Sequence, residues 1–251
     1  MNKTKRLDDL FGEWEKAHEA EDDASFSKTS NGEFITKDFF ERDGIIEEDA
    51  FDKEAIKVLF ISAEANADQY NAKSGVHKTD YHQPYLDYYK TGREDWKGKM
   101  KERLCGMYKF LTNQPEMPLK EAANKFAVMD INKRGGKAKI DKGKHIAEYA
   151  RVYKEYIRKE IDIINPDIVV IVGVNLARLR IVQILGCENE SDRNYFVING
   201  KRVPILLSFQ TANAEFQAKR YPPIEGCDTK SIGILCAKLK TEMIKYGIGN
   251  K

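Results

Sequence analysis

Apolar and polar residues alternate along this chain with two periods, and the elements follow from them. Between residues 3 and 22, Leu7, Leu10, Phe11, Trp14 and Ala17 recur at spacings of three and four, which predicts an amphipathic helix. The segment DDASFSKTSNGE then reads as a loop, and a short segment around Phe39–Ile46 leads into a first strand at 57–61. Residues 94–112 predict a helix with Trp96, Met100, Leu104, Met107 and Leu111 on one side. FAVMDI, 126–131, predicts a second strand, running into the basic, glycine-containing loop NKRGGKAKID. A helix is expected over 145–164, with Ile146, Tyr149, Tyr153, Tyr156, Ile157, Ile161 and Ile164 as its buried stripe and Asn165-Pro166 as its stop. DIVVIVG, 167–173, is apolar throughout, as a strand covered on both faces should be. A helix over 174–186 follows. NYFVINGKRVPILLSF then reads as two strands joined at Asn199-Gly200, and a last helix is expected over about 229–246.

Strands alternating with helices predict an α/β fold: a three-layer sandwich around a central, mainly parallel sheet. In such sheets ligands sit at the carboxyl ends of the strands. Three segments therefore converge on one cleft: SAEAN (62–66), DINKRGG (130–136) and SFQTAN (208–213). Residues 67–93 form a long polar and aromatic stretch with His77, His82, Tyr70, Tyr81 and Tyr85, read either as a source of one stacking ring or as surface. IVGVNLARL, 171–179, has one glycine rather than G-x-G-x-x-G and sits late in the chain, which excludes a dinucleotide fingerprint.

Composition narrows the class. The chain has 251 residues, of which 41% are hydrophobic and 10% aromatic, enough for a large core and unlike a disordered protein. No apolar run reaches bilayer length and the N-terminus lacks a signal-peptide core, so a soluble cytoplasmic protein is expected, with no membrane partner. Cys105, Cys187, Cys227 and Cys236 form no C-x-x-C pair, and no His stands at ligand spacing, so the expectation is reduced thiols and neither metal nor other cofactor. The net charge of +2 hides an asymmetry. Residues 1–55 hold 8 Lys/Arg against 17 Asp/Glu, and the rest holds 34 against 23. The chain divides on this basis into an acidic helical extension packed on the core, 1–55, and a basic α/β domain, 56–251. A basic body suits either a phosphate-bearing partner or an ordinary solvated surface.

The three cleft segments, in this order, resemble the uracil-DNA glycosylase superfamily. Its pattern is a strand followed by G-[QEM]-[DAN]-P, a strand ending in a base-reading Asn, and a later strand ending in His-Pro-Ser. Ser62-Ala63-Glu64-Ala65-Asn66 covers the first motif, Met129-Asp130-Ile131-Asn132 the second, and Phe209-Gln210-Thr211-Ala212 the third. DGII (43–46), FAVMDINKRGG (126–136) and INPDIVVIVG (164–173) together look most like a bacterial branch of that superfamily. The resemblance covers about residues 40–245. This chain departs from the pattern with Ser62 for glycine, Ala65 for proline, Asp130 for asparagine and Gln210 for histidine.

The resemblance implies a uracil-DNA glycosylase-like fold and a role for each matched position. Glu64 would orient the attacking water and stabilise positive charge on the sugar; the other reading is a carboxylate at a helix start. Ala65, Asn66 and Asn132 would line the base pocket, small residues leaving room for a 5-substituent. An Asn reads uracil by donating to O4 and accepting from N3–H. Asp130, accepting from a 4-amino group and donating to N3 when protonated, would read a cytosine-type ring; alternatively it pairs with Lys133 or Arg134. Gln210 would donate to the departing base; the other reading is a strand-end Gln that satisfies backbone groups. Lys133, Arg134, Gly135, Gly136 and Lys137, with Thr211, Asn213 and Arg220, would contact DNA phosphates, or would be solvated loop. Phe216, Arg220 and Tyr221 would fill the space left by an extruded base.

These roles describe a DNA glycosylase that excises a modified cytosine with a bulky 5-substituent and leaves an abasic site. Such an activity fits defence against viruses with modified DNA. Two other readings stay open: a non-catalytic nucleic-acid binder on the same fold, and a free nucleoside or nucleotide N-glycosidase.

Overall fold

The apolar runs at 58–61, 127–131 and 168–172 are neighbours at the centre of one sheet. The computed structural model describes residues 2–21, 40–66, 99–136, 144–173, 180–209 and 211–249, and within these spans the side chains of 64–66, 134–136, 144–145 and 211–213 lie outside the description. The elements in chain order are helix α1 (Lys3–Glu19), strand β1 (Gly44–Ile45), α2 (Glu48–Lys53), β2 (Val58–Asn66), α3 (Lys99–Leu111), α4 (Leu119–Ala122), β3 (Ala127–Gly136), α5 (Lys144–Val152), α6 (Lys154–Ile164), β4 (Ile168–Val172), α7 (Ile181–Ile184), β5 (Glu188–Glu190), β6 (Arg193–Ile198), β7 (Lys201–Ser208), a 3₁₀ helix (Thr211–Gln217) and α8 (Lys230–Tyr246).

The sheet has seven strands in the order β1-β3-β2-β4-β7-β6-β5. β3, β2, β4 and β7 run parallel to one another, while β1 and the β5–β6–β7 meander pair antiparallel. The class is therefore α/β, with a mixed sheet that is parallel at its centre. From β2 the chain steps to β3 and then recrosses to β4, so the sheet reverses its winding between β2 and β4. Clefts open at the carboxyl ends of the strands at such a point.

Period-two alternation sorts the core into two faces. Val58, Phe60, Val128, Val170 and Leu206 meet Leu104, Met107 and Tyr108 of α3 and Leu235 and Leu239 of α8. Leu59, Ile61, Met129, Val169 and Ile205 meet Trp14 of α1, Ile146 of α5, and Ile157 and Ile161 of α6. All five residues of β4 are buried, as its unbroken apolar run requires.

Helix α1 starts where Asn2 accepts the N–H of Lys5 at 3.0 Å. Its stripe of Leu7, Leu10, Phe11 and Trp14 enters the same apolar cluster as the strands, and Trp14 stacks on Tyr149 and Tyr156. The acidic N-terminal helix thus builds one wall of the core, and Gly44–Ile45 lengthen the sheet by an edge strand.

Some boundaries differ from expectation. The predicted helix at 145–164 is two helices, parted at Tyr153, whose backbone leaves the helical region at φ −102° and ψ 18°. The bend keeps the stripe buried while α5 lies on β3 and α6 on α1. β2 and β3 run past their apolar runs to Asn66 and Gly136, so the expected loop at 132–136 is strand backbone. Where a helix was expected over 174–186, α7 covers Ile181–Ile184, and 174–179 lie outside the described residues.

Helices α3 and α8 approach closely because Gly106 faces Ile232: a Cβ there would lie 2.4 Å from Ile232 Cγ2. Gly106→Ala is therefore expected to cost about 1–3 kcal/mol in urea unfolding through overpacking, although alanine favours the helix itself by about 1 kcal/mol. An unchanged or raised midpoint would contradict this packing.

Candidate functional site

Backbone register brings two of the three cleft segments side by side. In the parallel β2–β3 pair, Ser62 lies opposite Asp130, Glu64 opposite Asn132, and Asn66 opposite Gly136. Between the last two pairs β3 carries two more residues than β2, a bulge at the strand end. Ser62, Asp130 and Asn132 continue the face that Phe60 and Val128 occupy lower down, so this face turns from apolar to polar at its carboxyl edge. β7 ends on the same edge, where Ser208 Oγ donates to Met107 Sδ at 3.5 Å, and Phe209 follows, edge-on to Tyr221.

Asp130 is buried, 1% exposed, and Asn132 is 4% exposed. The Asp130 backbone N–H donates to Asp43 Oδ2 at 2.6 Å. Asp43 Oδ1 accepts from Lys133 Nζ at 2.5 Å, and Lys133 also pairs with Glu160 Oε2 at 3.0 Å. The Glu41 N–H donates to the Lys133 carbonyl at 2.8 Å. Burial, then the charges of Asp130 and Asp43, push the Glu41 carboxyl well above the usual range, against the pull of Lys133. Burial and Asp43 do the same to Glu160. Burial alone would lower the Lys133 ammonium, but Asp43 and Glu160 outweigh it and the group is raised. The cluster is therefore an Asp43–Lys133 pair flanked by two carboxyls, Glu41 and Glu160, that hold their protons above the ordinary carboxylate range.

This corrects the expectation for Lys133. Its side chain is fully buried, caged by the rings of Phe11 at 5.5 Å and Trp14 at 5.4 Å, so its ammonium is a core ion and does not reach a phosphate. Arg134, Gly135 and Gly136 are strand backbone beside Asn66. Thr211 and Asn213 lie in the 3₁₀ helix directly after β7. On the same stretch Phe216 is 85% exposed, and Arg220 is exposed, its guanidinium over Tyr221 at 5.5 Å. Gln210, Lys137, His77, His82, Tyr70, Tyr81 and Tyr85 lie outside the described residues, as do the side chains of Glu64, Ala65 and Asn66.

Two cations were not foreseen. Lys101 and Arg103, on the first turns of α3, are 2% and 7% exposed. Lys101 stands three and four residues before Leu104 and Cys105, so it continues their buried stripe toward the start of α3. That position, a charge on an apolar stripe, was the available signal. Arg103 donates to Ser231 Oγ at 3.0 Å and lies 3.6 Å from Glu215, tying α3 to α8 and the 3₁₀ helix at the rim.

Among the described residues no three His, Cys, Asp or Glu side chains are grouped to hold a metal ion, and no helix is long and apolar enough to cross a membrane. Comparison with protein-family models, curated proteins and solved structures finds no match to this chain.

The buried cluster makes two contrasting substitutions informative. Lys133→Met leaves Asp43 buried without its cation and should cost about 3–5 kcal/mol. Glu160→Gln mimics the protonated acid and should be tolerated. A raised carboxyl holds its proton when folded and loses it when unfolded, so its contribution to stability is full below the ordinary carboxylate pKa and declines as pH rises toward the raised value. The advantage of Glu160→Gln over the parent protein in urea unfolding should thus grow as pH rises above the ordinary carboxylate range, by at most about 1.4 kcal/mol per pH unit. An advantage that shrinks with pH would mean that Glu160 is ionised in the folded protein.

Proposed function

We propose that this protein is a glycosylase of the uracil-DNA glycosylase type that excises a cytosine-type base with a bulky 5-substituent from DNA. The observation that carries the reading is the register of Ser62–Asn66 against Asp130–Gly136 at the carboxyl edge of a parallel sheet. It supports the view that the first two motif segments serve one cleft, onto which the end of β7 also opens. A base inside a duplex hides its glycosidic bond, so the target is extruded into this cleft. Glu64 orients water beneath the sugar and stabilises the cationic transition state. Asp130 accepts from the 4-amino group, and the protonated Glu41 carboxyl beside it supplies the proton that N3 of a cytosine-type ring requires. Gln210 donates to the departing base. Ala65, Asn66 and Asn132 bound the base pocket.

DNA is held by Arg134, Lys137, Thr211, Asn213 and Arg220 and by the backbone at Gly135 and Gly136, without Lys133. Exposed Phe216, on the 3₁₀ helix beyond β7, suits the space an extruded base leaves. A role in defence against viruses with modified DNA fits such a substrate, because plain cytosine must be spared.

The burial of Lys133 favours one other reading, hydrolysis of a free nucleoside or nucleotide, since it removes a cation from the phosphate-facing set. Duplex binding that weakens steeply with salt separates the two.

The test is strand cleavage after alkali treatment of oligonucleotides and viral DNAs carrying uracil, cytosine, 5-hydroxymethylcytosine or its glucosylated form. Cleavage is expected with a modified cytosine. Glu64→Gln should slow it by about a hundredfold or more, and Asp130→Asn should shift preference toward uracil. Cleavage of the uracil substrate alone by the parent protein would overturn the role given to Asp130.

A further inference from the structure

Arg103, Ser231 and Glu215 meet where α3, α8 and the 3₁₀ helix converge on the rim. Arg103 is buried, and one of its guanidinium nitrogens donates to Ser231 Oγ at 3.0 Å. Ser231, 6% exposed, donates in turn to Glu215 Oε1 at 2.8 Å. The same carboxylate oxygen stands 3.6 Å from the guanidinium, too far for a hydrogen bond. Ser231 is also the second residue of the 17-residue helix α8, whose first turn is its positive end. A negative oxygen is thus held by a buried hydroxyl, beside a buried cation, at a helix start. The side chain that supplies it is 70% exposed. A carboxylate that only braced the fold would be buried with its cation, whereas this one covers the cation from the solvent side. An ion pair with one partner so exposed contributes little. Ala214 beside it is fully buried and anchors the backbone, so the Glu215 side chain can leave without moving the 3₁₀ helix.

We propose that Arg103 and Ser231 form a binding site for a phosphate oxyanion, which Glu215 occupies in the free protein as a displaceable carboxylate. A phosphate oxygen in place of Glu215 Oε1 accepts from the Ser231 hydroxyl and draws up to the guanidinium, whose fork of donors suits phosphate geometry. The neighbours suit the same ligand. Thr211 and Asn213 precede Glu215 on the 3₁₀ helix, and the exposed cations Lys219 and Arg220 follow it. Arg103 thereby restores to the rim a cation that the burial of Lys133 takes away. This inference rests on the reading that the substrate carries phosphate, which DNA and a free nucleotide share.

The test is binding of a duplex oligonucleotide, deoxycytidine 5′-monophosphate and inorganic phosphate to the full chain over a range of salt. Glu215→Gln keeps an acceptor for Ser231 and removes only the charge. It should tighten phosphate binding by about two- to fivefold and steepen the salt dependence of duplex binding. In an Arg103→Gln background the same substitution should gain nothing. A gain with the duplex alone assigns the site to a DNA backbone phosphate, and a gain with the nucleotide and inorganic phosphate as well assigns it to a terminal phosphate. Duplex binding that Glu215→Gln leaves unchanged or weakens, or that gains as much without Arg103, overturns the site and leaves the phosphate reading standing. Binding of none of the probes by either protein overturns both. Ser231→Ala, which removes only the hydroxyl, takes the place of Arg103→Gln if that variant folds poorly, with the same loss of the gain expected.

Discussion

The buried ammonium of Lys133 ties together elements that are distant in sequence. Asp43 reaches it from the segment before β1, Glu160 from α6, and Phe11 and Trp14 cover it from α1. A charge at zero exposure is tolerated only with its hydrogen-bonding capacity met and an opposite charge in contact. That condition fixes where α1 and α6 stand around the end of β3. An apolar residue in its place would pack without dictating partners, whereas an ammonium accepts only an arrangement that delivers carboxylates. The aromatic faces add cation–π attraction and exclude water, which strengthens the ion pair they enclose.

The same cluster reaches the candidate site through one carboxylate. Asp43 uses one oxygen on Lys133 and the other on the backbone N–H of Asp130. β1 pairs with β3 only at Gly44–Val128 and Ile45–Ala127, so beyond this point side chains take over the role of an edge ladder. Asp43 and the Glu41 N–H, which meets the Lys133 carbonyl, supply those contacts. The polar end of β3 is thereby held on its outer edge by acids from the N-terminal region and on its inner edge by β2. The acidic character of residues 1–55, which the charge count presents as a surface property, is partly an internal counterion for the basic body.

The sheet was legible because its strands are nearly uninterrupted apolar runs, and α1 and α8 because their stripes keep one period between clear caps. That Ser62–Asn66 and Asp130–Gly136 share the carboxyl end of the sheet followed from the α/β alternation, whereas their direct pairing did not. Lys133 was not legible. It sits in the run NKRGGK, where local sequence describes a solvated loop, while its cage comes from Phe11, Trp14, Asp43 and Glu160, none of them local. The break at Tyr153 carries neither glycine nor proline, and its cause is tertiary: one stripe has to serve both β3 and α1. Lys101 gave a signal, a charge in line with Leu104 and Cys105, but its burial depends on neighbours that local sequence does not name.

Proton count links these observations to chemistry. Glu41, Asp43, Asp130 and Glu160 are all buried around or beside Lys133, and the carboxyls outnumber the ammonium they share. Like charges at such distances cannot all ionise, so protons stay on Glu41 and Glu160 at pH values where exposed acids have lost theirs. A protein that needed only a stable core could have used apolar residues here at no loss of stability. What the acids add is a reserve of neutral carboxyl next to Asp130, at the edge where β2 and β3 end. That reserve comes from the same counterion shell that joins α1 and α6 to the end of β3.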